Sequence, residues 1–276
     1  MHDIMNFDWT IPPQKAVAQC VEFVRETLAT TGFDSVVIGL SGGIDSAVAA
    51  ALAVKAVGAE HVRGVYLPYR ASDPASLADA QVVAASLGIE TELHDITPMA
   101  DAFLADTPQD ALLRRGNVMA RCRMVVLYDI SARDRSLVLG TGNRTETLLG
   151  YATLHGDAAF ALNPLGDLYK QEVRALAQYL GLPDVVLTKA PSADLWEDQT
   201  DEDELGYTYA EADQVLHHMI DEGLGTQQLQ ALGFGGELIA DVRWRVKAQA
   251  FKWQEVPYAR IEDRPMPDNT WLTGGD

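Results

Sequence analysis

Cysteine is nearly absent from this chain. Its 276 residues include two, Cys20 and Cys122, far apart in sequence and at no metal-ligand spacing. A disulfide framework and a thiolate metal site are thereby excluded, and both side chains read as free thiols of a reducing compartment. Basic residues are also scarce, 21 against 40 acidic ones, for a net charge of −19. That field repels nucleic acid and anionic membrane surfaces, so neither is an expected partner. Long hydrophobic runs are missing too. The longest, Ala47 to Val54, is too short to span a bilayer. The opening MHDIMNFDWT has neither a basic start nor an apolar core, so no secretory signal is expected and the cytoplasm is the expected location.

What is present is an apolar framework, 47% of the residues, enough for one large α/β domain and short for two. Thr10, Pro12 and Pro13 suit the start of a helix whose stripe is Val17, Cys20, Val21, Val24 and Leu28, ending at Gly32. Strands are expected at 35–40, 62–67, 89–93 and 136–141, with a short fifth at 185–187. Helices are expected from Asp45 to about Val57, from Ser72-Asp73-Pro74 to Leu87, over 117–130, and from Lys170 to Leu180. The alternation implies a parallel sheet of about five strands with helices on both faces and ligands at the strands' carboxyl ends. The C-terminal third reads as helical, over 211–221 and 237–249. We expect a single domain over 1–276, with 257–276 a flexible tail and 192–206 an acidic segment suited to a lid or a solvated loop. His217 and His218 read as a solvated helix face rather than a metal pair, and Trp244 and Trp253 as core or interface residues.

The most informative string is Ser41-Gly42-Gly43-Ile44-Asp45-Ser46, set between a strand and a helix. A glycine turn at a helix start aims several backbone N–H groups and the positive end of the helix dipole at one point, which suits phosphate. The phosphate-loop pattern G-x-x-x-x-G-K-[ST] fails, because no lysine follows the glycines. Ser41, Ser46 and Asp45 stand there instead, and a carboxylate beside phosphate calls for a bridging divalent cation. The loop resembles the pyrophosphate loop of N-type ATP pyrophosphatases, which split ATP into AMP and pyrophosphate. A second string, Gly140-Thr141-Gly142-Asn143-Arg144-Thr145-Glu146, also follows a strand. It fails the dinucleotide fingerprint, since Thr145 occupies the last glycine position, but Glu146 can bring a second carboxylate near Asp45 as a Mg²⁺ ligand.

Taken with GNVMARCRM (116–124), NPLGDLYKQEVRALAQYLGLP (163–183) and KAPSADLWEDQTDEDELGYTY (189–209), these strings stand in one order over residues 10 to 253. The chain resembles the ammonia-dependent NAD synthetase family. That resemblance implies an adenine nucleotide alpha hydrolase-like fold and ATP-dependent amidation of deamido-NAD with ammonia, through an acyl-adenylate. It implies that Gly39, Leu40, Ser41, Gly42, Gly43, Ile44, Asp45 and Ser46 bind ATP phosphates, and that Thr141, Lys170 and Ser192 contact ATP. Asp45 and Glu146 would hold Mg²⁺, Asp45 and Lys170 would be catalytic, and Arg121 and Lys252 would contact deamido-NAD. It also implies a homodimer. No spare length encodes a glutaminase domain, so ammonia is the expected nitrogen donor, with Asp194 or Asp201 a candidate to take a proton from ammonium. The chain departs from the family at Leu154, Ala161 and Phe251, where family members commonly carry Lys, Asp and His. Nicotinate mononucleotide is therefore the alternative acceptor. A tRNA-modifying adenylating enzyme of the same loop family is a further alternative, against which the charge argues.

Overall fold

The computed structural model describes residues 11–192, 200–259 and 261. Helix α1 (Pro13–Thr31) begins with proline in its first turn and ends at Gly32, whose φ of 73° is the left-handed conformation that closes a helix. The expected Thr10 cap lies outside the described residues. There follow β1 (Val36–Gly39), α2 (Ile44–Val57), β2 (Val62–Tyr66), α3 (Pro74–Leu87), β3 (Glu90–Leu93), α4 (Thr97–Leu104), α5 (Leu112–Asp134) and β4 (Leu137–Val138). Beyond these come α6 (Arg144–Leu149), α7 (Lys170–Tyr179), α8 (Asp184–Thr188), α9 (Asp201–Leu205), α10 (Tyr209–Leu216), α11 (Thr226–Ala231) and α12 (Gly236–Gln249). Asp73 caps α3 by accepting from Ala75 N at 2.8 Å, as its Ser-Asp-Pro start predicts.

Among the described residues the sheet has four strands, all parallel, in the order β3-β2-β1-β4. Alternation along β1 sorts the core into two layers. Val36 and Ile38 join the layer of α1, α2 and α7, while Val37 joins Ile96, Ala100, Met119, Cys122 and Ile130 from α4, α5 and the turn before α4. Helix α2 is buried almost all round, and its alanines let it lie close against its neighbours. A third cluster, including Leu149, Tyr169, Tyr209, Val215 and Val242, seats the C-terminal helices against α6. Because β1 lies between β2 and β4, the strand order reverses there, and a crevice opens at the carboxyl ends of β1 and β4. Both glycine strings emerge into it.

Three expectations need correction. The segment 185–187 is not a fifth strand but part of α8. On the β4 side Leu139 already bridges to Leu162, and Val186 is instead buried in the layer of α2 and α7. The expected helix 211–221 ends in a π-helical turn at His217–Asp221. His217 and His218 are not a solvated face: both are largely covered, and Nδ1 of each lies within hydrogen-bond distance of Asp221 and Glu222 respectively. Of the two places expected for Trp244 and Trp253, the core is excluded, since they are 62% and 41% exposed. Both cysteines are free, and no described helix is long and apolar enough to cross a membrane.

Candidate active site

The first glycine loop needs its glycines. Gly42 has φ +75°, and a Cβ there would lie 2.4 Å from the Ser76 carbonyl oxygen. Backbone conformation and space both forbid a side chain. The loop is braced internally: Ser46 Oγ donates to Gly43 O at 2.9 Å, and Gly43 N donates to Ser41 Oγ at 3.2 Å. No side chain caps α2, so its first N–H groups remain available to an anion, with Asp45 in the first turn.

The second string builds α6. Asn143 is its N-cap and forms a capping box with Glu146, accepting from Glu146 N at 2.9 Å while its own N–H reaches Glu146 Oε2 at 3.4 Å. That box holds the Glu146 side chain over the helix start. Lys170 opens α7, an unfavourable place for a cation at the positive end of a helix. Two carboxylates offset that cost. Lys170 Nζ donates to Asp45 Oδ2 at 2.6 Å and to Glu146 Oε1 at 2.9 Å, with only 3% of its side chain exposed. Its ammonium also lies 4.9 Å from the centre of the Tyr209 ring.

The electrostatics follow from this crowding. Burial pulls the Lys170 ammonium down, but Asp45 and Glu146 hold it above the ordinary lysine range. Burial pushes the Glu146 carboxyl up to about 7, opposed by Lys170. Asp201, one of the two candidate proton acceptors, is 4% exposed and accepts from the Tyr209 hydroxyl at 3.0 Å. Burial raises its pKa, with Lys170 opposing. Asp194, the other, lies outside the described residues.

The remaining candidates divide by position. Thr141 sits in the crevice loop after β4, and Ser192 is exposed where the described segment after α8 ends. Arg121 and Lys252 do not reach the Asp45 cluster. Both grip the loop after α6: Arg121 Nη2 donates to Leu154 O at 3.1 Å, and Lys252 Nζ donates to Gly150 O and Ala152 O at 2.6 and 2.9 Å. Sequence reasoning missed four supporting residues. Asn143 donates to Asp45 Oδ1 at 2.8 Å, and Tyr209 lies against Lys170. Thr145 Oγ1 accepts from Lys170 N at 2.9 Å and donates to Asp213, which also accepts from Gln171 N at 2.8 Å. The N-x-x-E capping box was a legible signal for Asn143. Asp213 carried none, since a lone acid within an amphipathic helix looks solvated.

Two carboxylate oxygens converging on one cation suit a hard divalent ion completed by substrate phosphates. Among the described residues no group of three or more His, Cys, Asp or Glu forms an all-protein metal cage.

The NAD synthase family model matches residues 16–256. The chain belongs to the NAD synthase family. Within it, the chain is 50% identical over 242 residues to the NH(3)-dependent NAD(+) synthetase of Chlorobium phaeovibrioides, covering 88% of this chain and 87% of that one. Among solved structures it is similar to the NMN synthetase from Francisella tularensis, at 34% identity and TM-score 0.81, covering 91% of this chain and all of that one. It is also similar to the NH3-dependent NAD synthetase from Campylobacter jejuni, at 34% identity and TM-score 0.77 with the same coverage. The chain is a ligase of this family.

Proposed function

We propose that this chain amidates deamido-NAD with ammonia, cleaving ATP to AMP and pyrophosphate through an acyl-adenylate. The observation that carries this reading is the Asp45–Lys170–Glu146 cluster, placed beside the SGGIDS loop where the strand order reverses. A carboxylate is a poor acyl donor because its leaving group would be oxide. Attack by the nicotinate carboxylate oxygen on the α-phosphorus forms the P–O bond of the adenylate and breaks the bond to pyrophosphate. Charge then develops on the pyrophosphate, where the Gly42 and Gly43 amides, the Ser41 and Ser46 hydroxyls and Lys170 stabilise it. Asp45 and Glu146 are the residues that would hold Mg²⁺, which when bound neutralises phosphate charge beside the two carboxylates. Ammonia attacks the acyl carbon, and AMP leaves with the electrons of the broken C–O bond. Asp201, a buried acid with its pKa raised, is suited to take the proton that ammonium must lose. Exclusion of water would protect the adenylate; most of the acidic segment expected as a lid, residues 193–199, lies outside the described residues.

Nicotinate mononucleotide is a second acceptor reading. It is favoured by Leu154 and Ala161, which present no polar side chain, and by the similarity to an NMN synthetase. Comparing kcat/KM for the two acceptors with ammonium and Mg-ATP decides between them, with nucleotide products followed by chromatography. We expect a preference for deamido-NAD of at least about tenfold, AMP as the nucleotide product, and little activity with glutamine. Preference for the mononucleotide replaces the acceptor; ADP as product overturns the mechanism.

We further propose a single-domain, cytoplasmic homodimer. Supporting it are apolar side chains of α4 and α5 left at the surface, with Phe103 72%, Leu113 74% and Val125 51% exposed. Light scattering at micromolar concentration is expected to return twice the chain's 30.0 kDa; a monomer sinks this reading.

A further inference from the structure

We propose that Asn143 is the positioning residue that aims Asp45 and Glu146 at a shared cation, a role that rests on their reading as ligands of the metal–nucleotide complex. Asn143 is fully buried and joins elements nearly one hundred residues apart in sequence, α6 and the first turn of α2. It touches each carboxylate at one oxygen. Its side-chain Nδ2 donates to Asp45 Oδ1 at 2.8 Å, and its backbone N–H to Glu146 Oε2 at 3.4 Å. The other oxygens, Asp45 Oδ2 and Glu146 Oε1, are the pair that meets Lys170 Nζ. Asn143 thus occupies the rear oxygens, and the front pair faces the Lys170 ammonium, whose place a divalent cation would take over or share.

The residue type follows from this double duty. A helix N-cap accepts Ser, Thr, Asp, Asn or Gly with similar ease, so the cap alone does not select asparagine. The cap needs an acceptor, which Oδ1 supplies to Glu146 N. Asp45 needs a donor. Ser and Thr reach too short a distance to cap and touch Asp45 together, Asp would set a third carboxylate against the first, and Gly offers neither group. The amide orientation is settled by the partners, since a flipped amide would aim its N–H groups at the Glu146 N–H and its oxygen at a carboxylate. Asn163 steadies the loop from behind, donating to Gly142 O at 2.8 Å.

The test uses the full chain with Asn143→Ser, which keeps a capping hydroxyl, and Asn143→Gly, which N-caps tolerate with little loss. Mn²⁺ binding in the presence of α,β-methylene-ATP is read by electron paramagnetic resonance, alongside steady-state kinetics in Mg²⁺. We expect Mn²⁺ affinity to fall about tenfold or more in both variants. We also expect kcat to fall about tenfold to a hundredfold, while the KM for the acceptor stays within about twofold; the melting temperature should fall by a few degrees, because a buried donor to Asp45 is lost. On an Asp45→Asn background, Asn143→Ser should cost markedly less further Mn²⁺ affinity, because position 45 no longer offers the carboxylate that the amide aims, and serine keeps the cap and the backbone contact to Glu146. Wild-type Mn²⁺ affinity in both variants, or an undiminished loss on the Asp45→Asn background, overturns the proposal. Absence of Mn²⁺ binding by the wild type with this nucleotide analogue would instead reject the metal–nucleotide reading itself, and the inference with it.

Discussion

Lys170→Met is expected to lower kcat/KM for ATP by about a thousandfold, roughly 4 kcal/mol of transition-state stabilisation. Methionine fills the channel of the lysine stem but removes the ammonium that both Asp45 and Glu146 face. It leaves two carboxylates converging on an apolar tip, so a stability cost of about 3 kcal/mol is also expected. That cost should depend on pH. The Glu146 carboxyl already stands near 7 against an ordinary 4.5, and loss of the opposing ammonium drives it higher. A folded-state pKa above the unfolded one gives stability that is present below the unfolded value and lost as pH rises through the folded one. The melting-temperature gap between wild type and variant should therefore widen from about pH 6 to about pH 8.5. A variant with turnover within about threefold of wild type would remove Lys170 from the mechanism.

Asp45→Asn and Glu146→Gln should each cost about a thousandfold in adenylate formation while leaving the fold intact. Each carboxylate accepts at both oxygens: Asp45 from Asn143 and Lys170, Glu146 from the Asn143 N–H and Lys170. An amide of the same shape keeps one acceptor and turns the other into a donor facing a donor. Either the cap side or the lysine side is frustrated, and the charge is lost whichever way the amide turns. Pyrophosphate release at saturating Mg²⁺ measures the effect, and circular dichroism checks the fold. Near-normal turnover in one variant would strike that residue from the metal site.

Much of the fold was legible because helix caps, glycine stops and apolar periodicity act over a few residues. The Ser72-Asp73-Pro74 start, the Gly32 and Gly88 stops and the apolar stripe of α1 all stand where local chemistry puts them. The same short range explains the failures. Val185-Val186-Leu187 has strand-forming side chains, yet a strand needs a neighbour with free backbone groups, and Leu162 takes that place beside Leu139. Trp244 has the composition of a core residue, but α12 buries Ile239 and Val242 on another face.

The sequence by itself determined the phosphate-type loop at the end of β1, the Glu146-bearing string after β4, and the excess of acidic over basic residues. These are local matters of backbone freedom, helix-end polarity and charge. Tertiary structure decided that Lys170 stands between Asp45 and Glu146, 125 and 24 residues away in the chain, and that Asn143, Thr145, Tyr209 and Asp213 support them. The strand order sets β1 beside β4, burial of α7 in the layer of β1 and α2 brings Lys170 to them, and packing of α10 against α6 and α7 brings Tyr209 to Lys170. No local propensity encodes such a meeting. It follows from which apolar faces must cover which side of the sheet, and the polar groups trapped at the crossing then find one another because leaving them unpaired costs too much.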